Sequence, residues 1–295
     1  MELKEPNILN EPKENWGGAW TEKKLDAFTK YVRSYLTILN KNKHWETIYF
    51  DGFAGCGTRK KKENTELYLQ LLSEEEEHIY KGAAERVLSI ENLSFDYYYF
   101  IDKNEKAITK LQNKLNSKFP NIKPICRNDD VNEQLKLLSE ALETNKYAAL
   151  IFLDPFGMQI DWDSIANLKG TRSDIWILVP TGVIINRLLD KKGELKNSAK
   201  LESFFGLSKN EVKDYFYTQE TTNTLFGEEE IVTKVSEPIE KIAKLYVKRL
   251  GTIWKFVTKS PLVLYNSKGT PIFHFVFASN SVVAVKIAKQ IIDKT

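Results

Sequence analysis

The sequence predicts an α/β fold in which helices and strands alternate around one largely parallel sheet. The first observation is a set of short runs rich in β-branched and aromatic residues, such as 46–51, 97–102 and 148–153. The second is that segments with helical spacing of apolar residues lie between such runs, which is the order of βαβ units. The third is that each run ends at or beside an aspartate, so acids are expected at the ligand-binding edge of the sheet.

In the first part of the chain, the residue pattern predicts an N-terminal arm followed by alternating helices and strands. Residues 1–15 are polar, and an N-terminal arm is predicted over 1–20. Thr21 is expected to cap a helix that continues to Leu39. The remainder, residues 21–295, is expected to form one domain. Within it, the pattern of residues 182–237 indicates an inserted, mostly helical segment. Strands are predicted at 46–51, 97–102, 122–127, 148–153 and 174–180, with helices between them.

In the last part of the chain, the residue pattern predicts an antiparallel hairpin. A helix at about 238–250 leads to a strand-like run at 252–258. A further strand at 271–277 is joined to it through the Asn-Ser-Lys-Gly turn at 266–269. A helix at 281–292 ends the chain. Alternation closed by such a hairpin is the order of a Rossmann-like, seven-stranded methyltransferase sheet, whose last strand runs antiparallel.

Composition narrows the class of protein only moderately. A net charge of +3 over 295 residues neither requires nor forbids nucleic acid. Cys56 and Cys126 have no pair spacing, which favours a reducing compartment. No cluster of His, Cys and Asp has metal-ligand spacing, so no metal is expected. Without a leader or a run of 18 apolar residues, we expect a cytoplasmic protein with no membrane partner.

The segment 51–57, which reads D-G-F-A-G-C-G, predicts a cofactor site. Its glycines are spaced G-x-x-G-x-G, unlike the dinucleotide fingerprint, and no Gly-Lys-Ser/Thr follows for a phosphate loop. The pattern D-x-F-x-G-x-G is typical of S-adenosylmethionine sites in many nucleic-acid methyltransferases. Glycines there let the backbone approach the cofactor closely. The alternative is a tight turn without a ligand. Cofactor contacts are predicted for Asp51, Gly52, Phe53, Ala54, Gly55 and Gly57.

Several motifs together are similar to one known family. They are Trp20 with Lys24, Leu25 and Tyr31, and the segments 51–57, 100–102, 130–132, 152–157 and 275–279. In these motifs the chain resembles the three-Cys-motif partner proteins of bacteria and their phages, over about 16–185 and 240–290. The resemblance implies a methyltransferase-like fold and a three-Cys-motif protein encoded nearby as partner. The family's cysteines belong to that partner, which agrees with the absence of a Cys cluster here.

Three acids are assigned roles around the expected cofactor. Asp51 would hold its ammonium group, and Asp102 at the end of the second predicted strand would accept hydrogen bonds from the ribose hydroxyls. An ordinary solvated acid is the alternative for Asp102. Asp130 would accept from the adenine amino group, with Asp129 as the rival, and Val131 would pack against the ring. The run Asn-Asp-Asp is equally good turn chemistry.

The loop that follows the fourth predicted strand is the candidate catalytic segment: Asp154, Pro155, Phe156 and Gly157. In amino-methyltransferases the corresponding loop reads Asp/Asn/Ser-Pro-Pro and then an aromatic residue, and its acceptors orient an exocyclic base amine. Here Phe156 replaces the second proline, and Gly157 replaces the aromatic. The loop is nevertheless similar to that of tRNA guanine-N2 dimethyltransferases. The alternative is an Asp-Pro loop opener with Phe156 in the core. Cytosine-C5 chemistry is disfavoured because no Pro-Cys nucleophile is present.

Basic and aromatic residues near the predicted site favour nucleic acid as substrate. Arg59, Lys60 and Lys61 follow the cofactor loop and Arg187 follows the fifth strand, where they could meet phosphates. Phe156 and Trp162 could stack on a base, although Trp162 could equally pack in the core. The predicted function is an S-adenosylmethionine-dependent methyltransferase acting on an exocyclic amine of DNA or RNA. The alternative is a non-catalytic, methyltransferase-like subunit of a Cys-motif protein of iron–sulfur or radical type.

Overall fold

The structure is a computed structural model that describes residues 18–41, 44–55, 82–155, 157–224 and 227–295. The strands are β1 Glu46–Asp51, β2 Tyr97–Asp102, β3 Ile125–Asn128, β4 Tyr147–Leu153, β5 Ser173–Val179, β6 Tyr217–Thr224, β7 Gly227–Lys234, β8 Phe256–Val257, β9 Leu262–Tyr265 and β10 Pro271–Ser279.

Helices connect most of these strands. They are α1 Gly18–Leu39, α2 at 82–88, α3 Glu105–Lys118, α4 Val131–Leu142, α5 Trp162–Ala166, α6 Asn186–Leu188, α7 Ser198–Phe205, α8 Lys209–Phe216, α9 Pro238–Leu250 and α10 Val282–Ile292. A single π-helical turn, Thr181–Ile185, precedes α6.

The main sheet has the strand order β3-β2-β1-β4-β5-β10, with β8 and β9 both pairing with the far side of β10. The pairs from β3 to β5 are parallel, and β10 runs antiparallel to β5. The chain therefore winds outwards from β1 to β3 and then returns to β4 on the other side of β1. The carboxyl ends of β1 and β4 thus flank the point where the winding reverses, which is where open α/β sheets bind ligands.

Alternating apolar residues cover both faces of this sheet. In β4, Leu150 and Phe152 join one buried cluster, whereas Ile151 and Leu153 join another. Helices α1, α2, α3 and α10 contribute to the first cluster, and we call this side of the sheet the α1 face. Helices α4, α5 and α9 contribute to the second cluster, on the α9 face. With both faces covered, the strands are almost continuously apolar, as expected of a parallel sheet.

The structure confirms the α/β class and the antiparallel end of the sheet, with a difference in the strand count. Among the residues that the structure describes, the main sheet has eight strands where the sequence predicts seven, because two short strands share the position beside β10. The hairpin partner of β10 is β9, not the predicted run 252–258. Pro261 separates the two segments. The predicted turn is present, with Gly269 at a φ of 73° that a side chain would strain.

Two further predictions differ from the structure. Helix α1 begins at Gly18, so Thr21 lies inside the helix, where it is buried, and is not its cap. The segment 182–237 contains the short helices α6 to α8 as expected, but it also contains the antiparallel hairpin of β6 and β7. The hairpin strands are rich in Thr and Glu and lack apolar alternation, the signal by which a strand is recognised.

Candidate functional site

Three carboxylates meet at one edge of the sheet. Asp51 ends β1, Asp102 ends β2, and Asp154 follows β4 directly. Since β1 lies between β2 and β4 in the sheet, the three residues are neighbours at its carboxyl edge. Side chains two positions apart on a strand share a face. The residues two positions earlier all pack on the α1 face, namely Tyr49, Phe100 and Phe152. The structure therefore brings the three acids together on the α1 face.

Asp51 lies in the centre of this cluster and is almost fully buried. The Phe53 backbone N–H donates to Oδ1 over 3.2 Å, and the Tyr49 hydroxyl donates to Oδ2 over 3.3 Å. Loss of hydration on burial raises the pKa of Asp51 to about 8, and the negative charges of Asp154 and Asp102 act in the same direction. The site therefore carries an acid whose ionised form would be favoured by a nearby cation.

Asp154 forms a buried ion pair with helix α1. The Lys24 Nζ lies 2.5 Å from Asp154 Oδ2, and the two side chains are 2% and 4% exposed. The same Nζ lies 5.2 Å from the centre of the Trp20 ring, which is within cation–π distance. Helix α1 therefore forms one wall of the site, and the carboxylate predicted to be catalytic is held by a lysine 130 positions away.

Lys24 is the site residue that sequence reasoning missed. In the sequence, Lys24 is only one of the residues that carry the family resemblance. A signal was nevertheless present, because Lys24 lies one helical turn from both Trp20 and Phe28 and so falls within the apolar stripe of α1. A lysine at such a position must be paired if it is buried, and an acid at a strand end is the natural partner.

The glycines at this edge are required by close packing of protein atoms. A Cβ on Gly55 would lie 2.9 Å from the Asp102 Cβ and 3.0 Å from the Ala107 Cβ. A Cβ on Gly52 would lie 2.6 Å from both Leu153 Cδ2 and a Val131 methyl carbon. The Asn104 backbone N–H donates to Asp102 Oδ1 over 2.7 Å at the start of α3. Protein contacts thus account for both glycines, whether or not a ligand also approaches them.

Asp130 and its neighbours serve the start of helix α4. The Asn132 backbone N–H donates to Asp130 Oδ1, and the Lys103 Nζ lies 3.0 Å from Oδ2. Partial burial works to raise the pKa of Asp130, but these hydrogen bonds outweigh it and hold the pKa below the usual value. Asp129 accepts from the Gln134 side chain over 2.7 Å, and Val131 is buried. The capping role agrees with the turn-chemistry alternative, and it favours neither acid as the adenine acceptor.

The predicted substrate side is only partly described. Gly57, Arg59, Lys60, Lys61 and Phe156 lie outside the described residues, as does Cys56. Pro155 and Gly157 are buried, and a Cβ on Gly157 would lie 3.2 Å from the Ile184 Cδ1. Arg187 is exposed on α6. The Lys234 Nζ, from the hairpin, binds the carbonyl oxygens of Asn186 and Leu189 over 2.8 and 2.6 Å, and so fixes the segment that carries Arg187.

The prediction that Trp162 could stack on a base is wrong. Its side chain is 5% exposed and packs on the α9 face, opposite the carboxylates. The Arg249 guanidinium lies 4.4 Å from the centre of the Trp162 ring, and the Tyr246 ring meets it edge-on. The alternative, that Trp162 packs in the core, is confirmed. Large aromatic side chains release the most water on burial, which favours the core over the site.

Within the described ranges, no group of three or more His, Cys, Asp or Glu side chains could hold a metal ion. The helices of those ranges include none with the length and apolar character needed to cross a membrane.

The comparisons with known proteins establish no family. No protein-family model matches the sequence, and no curated protein matches it. One solved structure to which the chain is similar is protein LPL1258 from Legionella pneumophila str. Philadelphia 1, of the family model DUF519. The identity is 15%, the TM-score is 0.36, and the match covers 88% of this chain and 97% of that one. A similarity this weak supports no conclusion about the function of the protein, and the resemblance to the three-Cys-motif partner family stays a prediction.

Proposed function

We propose that the protein is an S-adenosylmethionine-dependent methyltransferase that acts on an exocyclic amine of a nucleic-acid base. The observation that carries the proposal is the cluster of Asp51, Asp102 and Asp154 at the carboxyl ends of β1, β2 and β4. These ends flank the point where the winding of the sheet reverses, the usual ligand position in such sheets. The strand order with an antiparallel β10 beside β5 is also compatible with a Rossmann-like methyltransferase sheet.

The charge of the cluster supports a cationic ligand. S-adenosylmethionine carries a sulfonium and an ammonium group, and Asp51 is a desolvated acid with two further acids beside it. A cation next to Asp51 would favour the ionised carboxylate and relieve the repulsion from its neighbours. We assign the ammonium to Asp51, and the ribose hydroxyls to Asp102. A carboxylate has about four acceptor positions, so the bond that Asp102 accepts from Asn104 does not exhaust its capacity.

The transfer step would depend on Asp154 and Pro155. When bound, the cofactor would supply the methyl group: the amine nitrogen forms the new N–C bond while the S–C bond breaks and its electrons return to sulfur. The Asp154 carboxylate and the Pro155 carbonyl would accept the two amine hydrogens, orient the nitrogen lone pair and stabilise the positive charge that develops on nitrogen. The proton then leaves the nitrogen through Asp154 to water. The chain thus contributes orientation and electrostatic stabilisation.

The proposal that the substrate is a nucleic acid rests on the Asp-Pro-Phe-Gly loop and on basic residues at this edge of the sheet. Among the described residues, the exposed Arg187 follows β5 by eight positions (187 − 179) and is available for a phosphate contact. Its segment is anchored by Lys234, so the guanidinium would extend from a fixed backbone. A fixed cation at the edge of the site would position a nucleic-acid strand without reading its sequence.

One observation favours a second function, a non-catalytic subunit that binds a Cys-motif protein. The Lys24 ammonium already occupies Oδ2 of Asp154, and both side chains are buried. An ion pair of this kind can hold helix α1 on the sheet in a protein that carries out no transfer. Because the packing of Gly52 and Gly55 is also explained by protein atoms, the two functions must be separated by experiment.

Calorimetric titration with S-adenosylmethionine and with its demethylated product tests the first function. We expect wild-type protein to bind both, Asp102→Ala to lose binding, and Asp154→Asn to bind normally but to transfer no labelled methyl group to DNA or RNA. Asp293→Asn is a matched control, because Asp293 is exposed at the end of α10. Wild-type protein that binds neither compound would exclude the methyltransferase. Binding without transfer to DNA, RNA or protein would favour the subunit.

A further inference from the structure

Lys24 has a position that stability alone does not explain. It is 2% exposed in the middle of α1, among residues that pack against the sheet. Removing a lysine ammonium from water costs several kcal/mol, and an ion pair often recovers little more than that cost. An apolar side chain of similar length would fill the same space about as well. The charge at this position is therefore better explained by what it does to Asp154.

We propose that Lys24 is a positioning residue of the transfer site, which holds the Asp154 carboxylate in the orientation in which it can accept a hydrogen from the substrate amine. This inference rests on the proposed function and adds to it the group on which Asp154 depends. The Nζ lies 2.5 Å from one carboxylate oxygen, Oδ2. A carboxylate held through one oxygen retains its remaining acceptor capacity for a substrate.

The groups around Asp154 explain why a cation is needed there. From β1, the Asp51 carboxylate and the Tyr49 hydroxyl interact electrostatically with Asp154. From α1, the facing group is the Lys24 ammonium. Once a bound cation favours its ionised form, Asp51 repels the carboxylate of Asp154. The Lys24 ammonium offsets this repulsion and holds the Asp154 carboxylate in place.

The Lys24 ammonium has two close neighbours. The Trp20 ring, one helical turn away on α1, has its centre 5.2 Å from Nζ, and Asp154 Oδ2 lies 2.5 Å from Nζ. The Trp20 ring packs in turn on the Phe273 ring of β10, with 5.1 Å between the ring centres. A rigid support of this kind is what a site needs in order to hold a reactive group in one orientation.

The experiment compares Lys24→Met with Lys30→Met. Lys30 lies on the same helix, but its side chain is 54% exposed, so the control has the same substitution without the buried pair. For Lys24→Met we expect a fall in kcat of about 100-fold, the size typical of losing one electrostatic contact at the transition state. The Kd for S-adenosylmethionine should change by less than about threefold, since Lys24 has no assigned cofactor contact. Lys30→Met should behave as wild type.

The pH dependence of kcat/KM separates positioning from a structural role. Because Lys24→Met removes the cation that faces Asp154, the acidic limb of this profile should move to higher pH in the variant. Lys24→Arg keeps the charge but not its shape. It should retain the acidic limb of wild type while kcat falls about tenfold. A structural role would lower the melting temperature without moving this limb.

Each outcome decides the inference. A wild-type kcat or an unmoved acidic limb in folded Lys24→Met would overturn it. If Lys24→Met does not fold, Lys24→Arg decides, because a wild-type kcat in that variant would overturn the inference and a reduced kcat with the limb retained would support it. Wild-type protein that binds no cofactor would refute the proposed function, and this inference with it. Active wild type with an equally active Lys24→Met would refute the inference alone.

Discussion

Two aspartates whose pKa values are raised lie on the α1 face at opposite edges of the sheet. Asp51 ends β1 at the carboxyl edge, whereas Asp174 is the second residue of β5, at the amino edge. Helix α1 reaches both edges: its Lys24 pairs with Asp154, a neighbour of Asp51, and its Tyr31 donates to Asp174. Asp51 is almost fully buried and Asp174 is half-buried, and the two acids also differ in what surrounds the carboxylate.

The two carboxylates differ in the hydrogen bonds they accept and in the charges beside them. Asp174 accepts from the Tyr31 hydroxyl over 2.6 Å and from the Ser279 hydroxyl. Burial raises its pKa, and these two bonds limit the rise to about 6. Asp51 has longer bonds and two acidic neighbours, and its pKa reaches about 8. A satisfied buried acid contributes to the fold, whereas a poorly satisfied one beside like charges marks a candidate functional site.

The largest loss of stability is expected on substitution of Asp174, the acid with the shorter hydrogen bonds. Asp174→Ala should lower the free energy of unfolding by about 3 kcal/mol, because it leaves the buried hydroxyls of Tyr31 and Ser279 without their acceptor and opens a small cavity. Urea denaturation at pH 7 measures this loss. Asp293→Ala, at an exposed position, should change stability by less than about 0.5 kcal/mol. A loss below about 1 kcal/mol in Asp174→Ala would remove the contrast between the two ends.

At the other end, removing the acid should stabilise the protein at high pH. The pKa of Asp51 is about 8 in the folded state against 3.8 as the reference value, so the folded protein binds the extra proton between these values. The free energy of unfolding should then fall as pH rises from about 4 to 8. Asp51→Asn keeps the shape and removes this dependence, and it should be more stable than wild type by at least about 2 kcal/mol at pH 9, since each unit of pKa difference corresponds to about 1.4 kcal/mol.

Urea denaturation at pH 5 and pH 9 tests the Asp51→Asn prediction. The gain should be clearly larger at pH 9 than at pH 5, because most of the fall in wild-type stability between pH 4 and 8 occurs above pH 5. In contrast to this gain in stability, we expect binding of S-adenosylmethionine to be lost. A variant that is less stable than wild type at both pH values would show that Asp51 is a satisfied acid like Asp174.

Substitution of Gly55 by alanine tests how closely the three acids are packed. A Cβ there would lie 2.9 Å from the Asp102 Cβ and 3.0 Å from the Ala107 Cβ, so Gly55→Ala must displace the carboxylate. We expect a loss of about 1–2 kcal/mol, together with weaker cofactor binding. Gly82→Ala is the control, because its Cβ would lie 3.6 Å from the Arg86 Nε, an ordinary contact. Equal calorimetric binding by both variants would argue against a cofactor beside Asp102.

The smallest effects come from the tyrosines that contact each acid. Tyr31→Phe removes a 2.6 Å hydrogen bond to Asp174, and Tyr49→Phe removes a 3.3 Å bond to Asp51. We expect the first to cost about 1.5 kcal/mol of unfolding free energy and the second less than about 0.5 kcal/mol. Thermal melts of the two variants, compared side by side, measure the difference. Equal losses would mean that bond length is not what distinguishes the two aspartates.

Much of the fold could be predicted from local patterns. Runs such as 148–153 are recognisable because strand residues in a covered parallel sheet are almost all apolar. The hairpin of β6 and β7 was missed because its strands are polar and lack that pattern. Asp51, Asp102 and Asp154 were identified by their position after such runs, and the parallel arrangement then brings the strand ends to one edge.

Local patterns along the chain were enough to predict the α/β class, the positions of the strand ends and the acids placed there, because these depend on residues close together in the chain. The folded structure was needed to show that Lys24 pairs with Asp154, that Trp162 is buried on the opposite face, and that Asp51 and Asp174 differ in their hydrogen bonds. Those contacts join residues far apart in sequence. They depend on how α1 and the α9 face pack against the sheet, and periodicity carries no information about that packing.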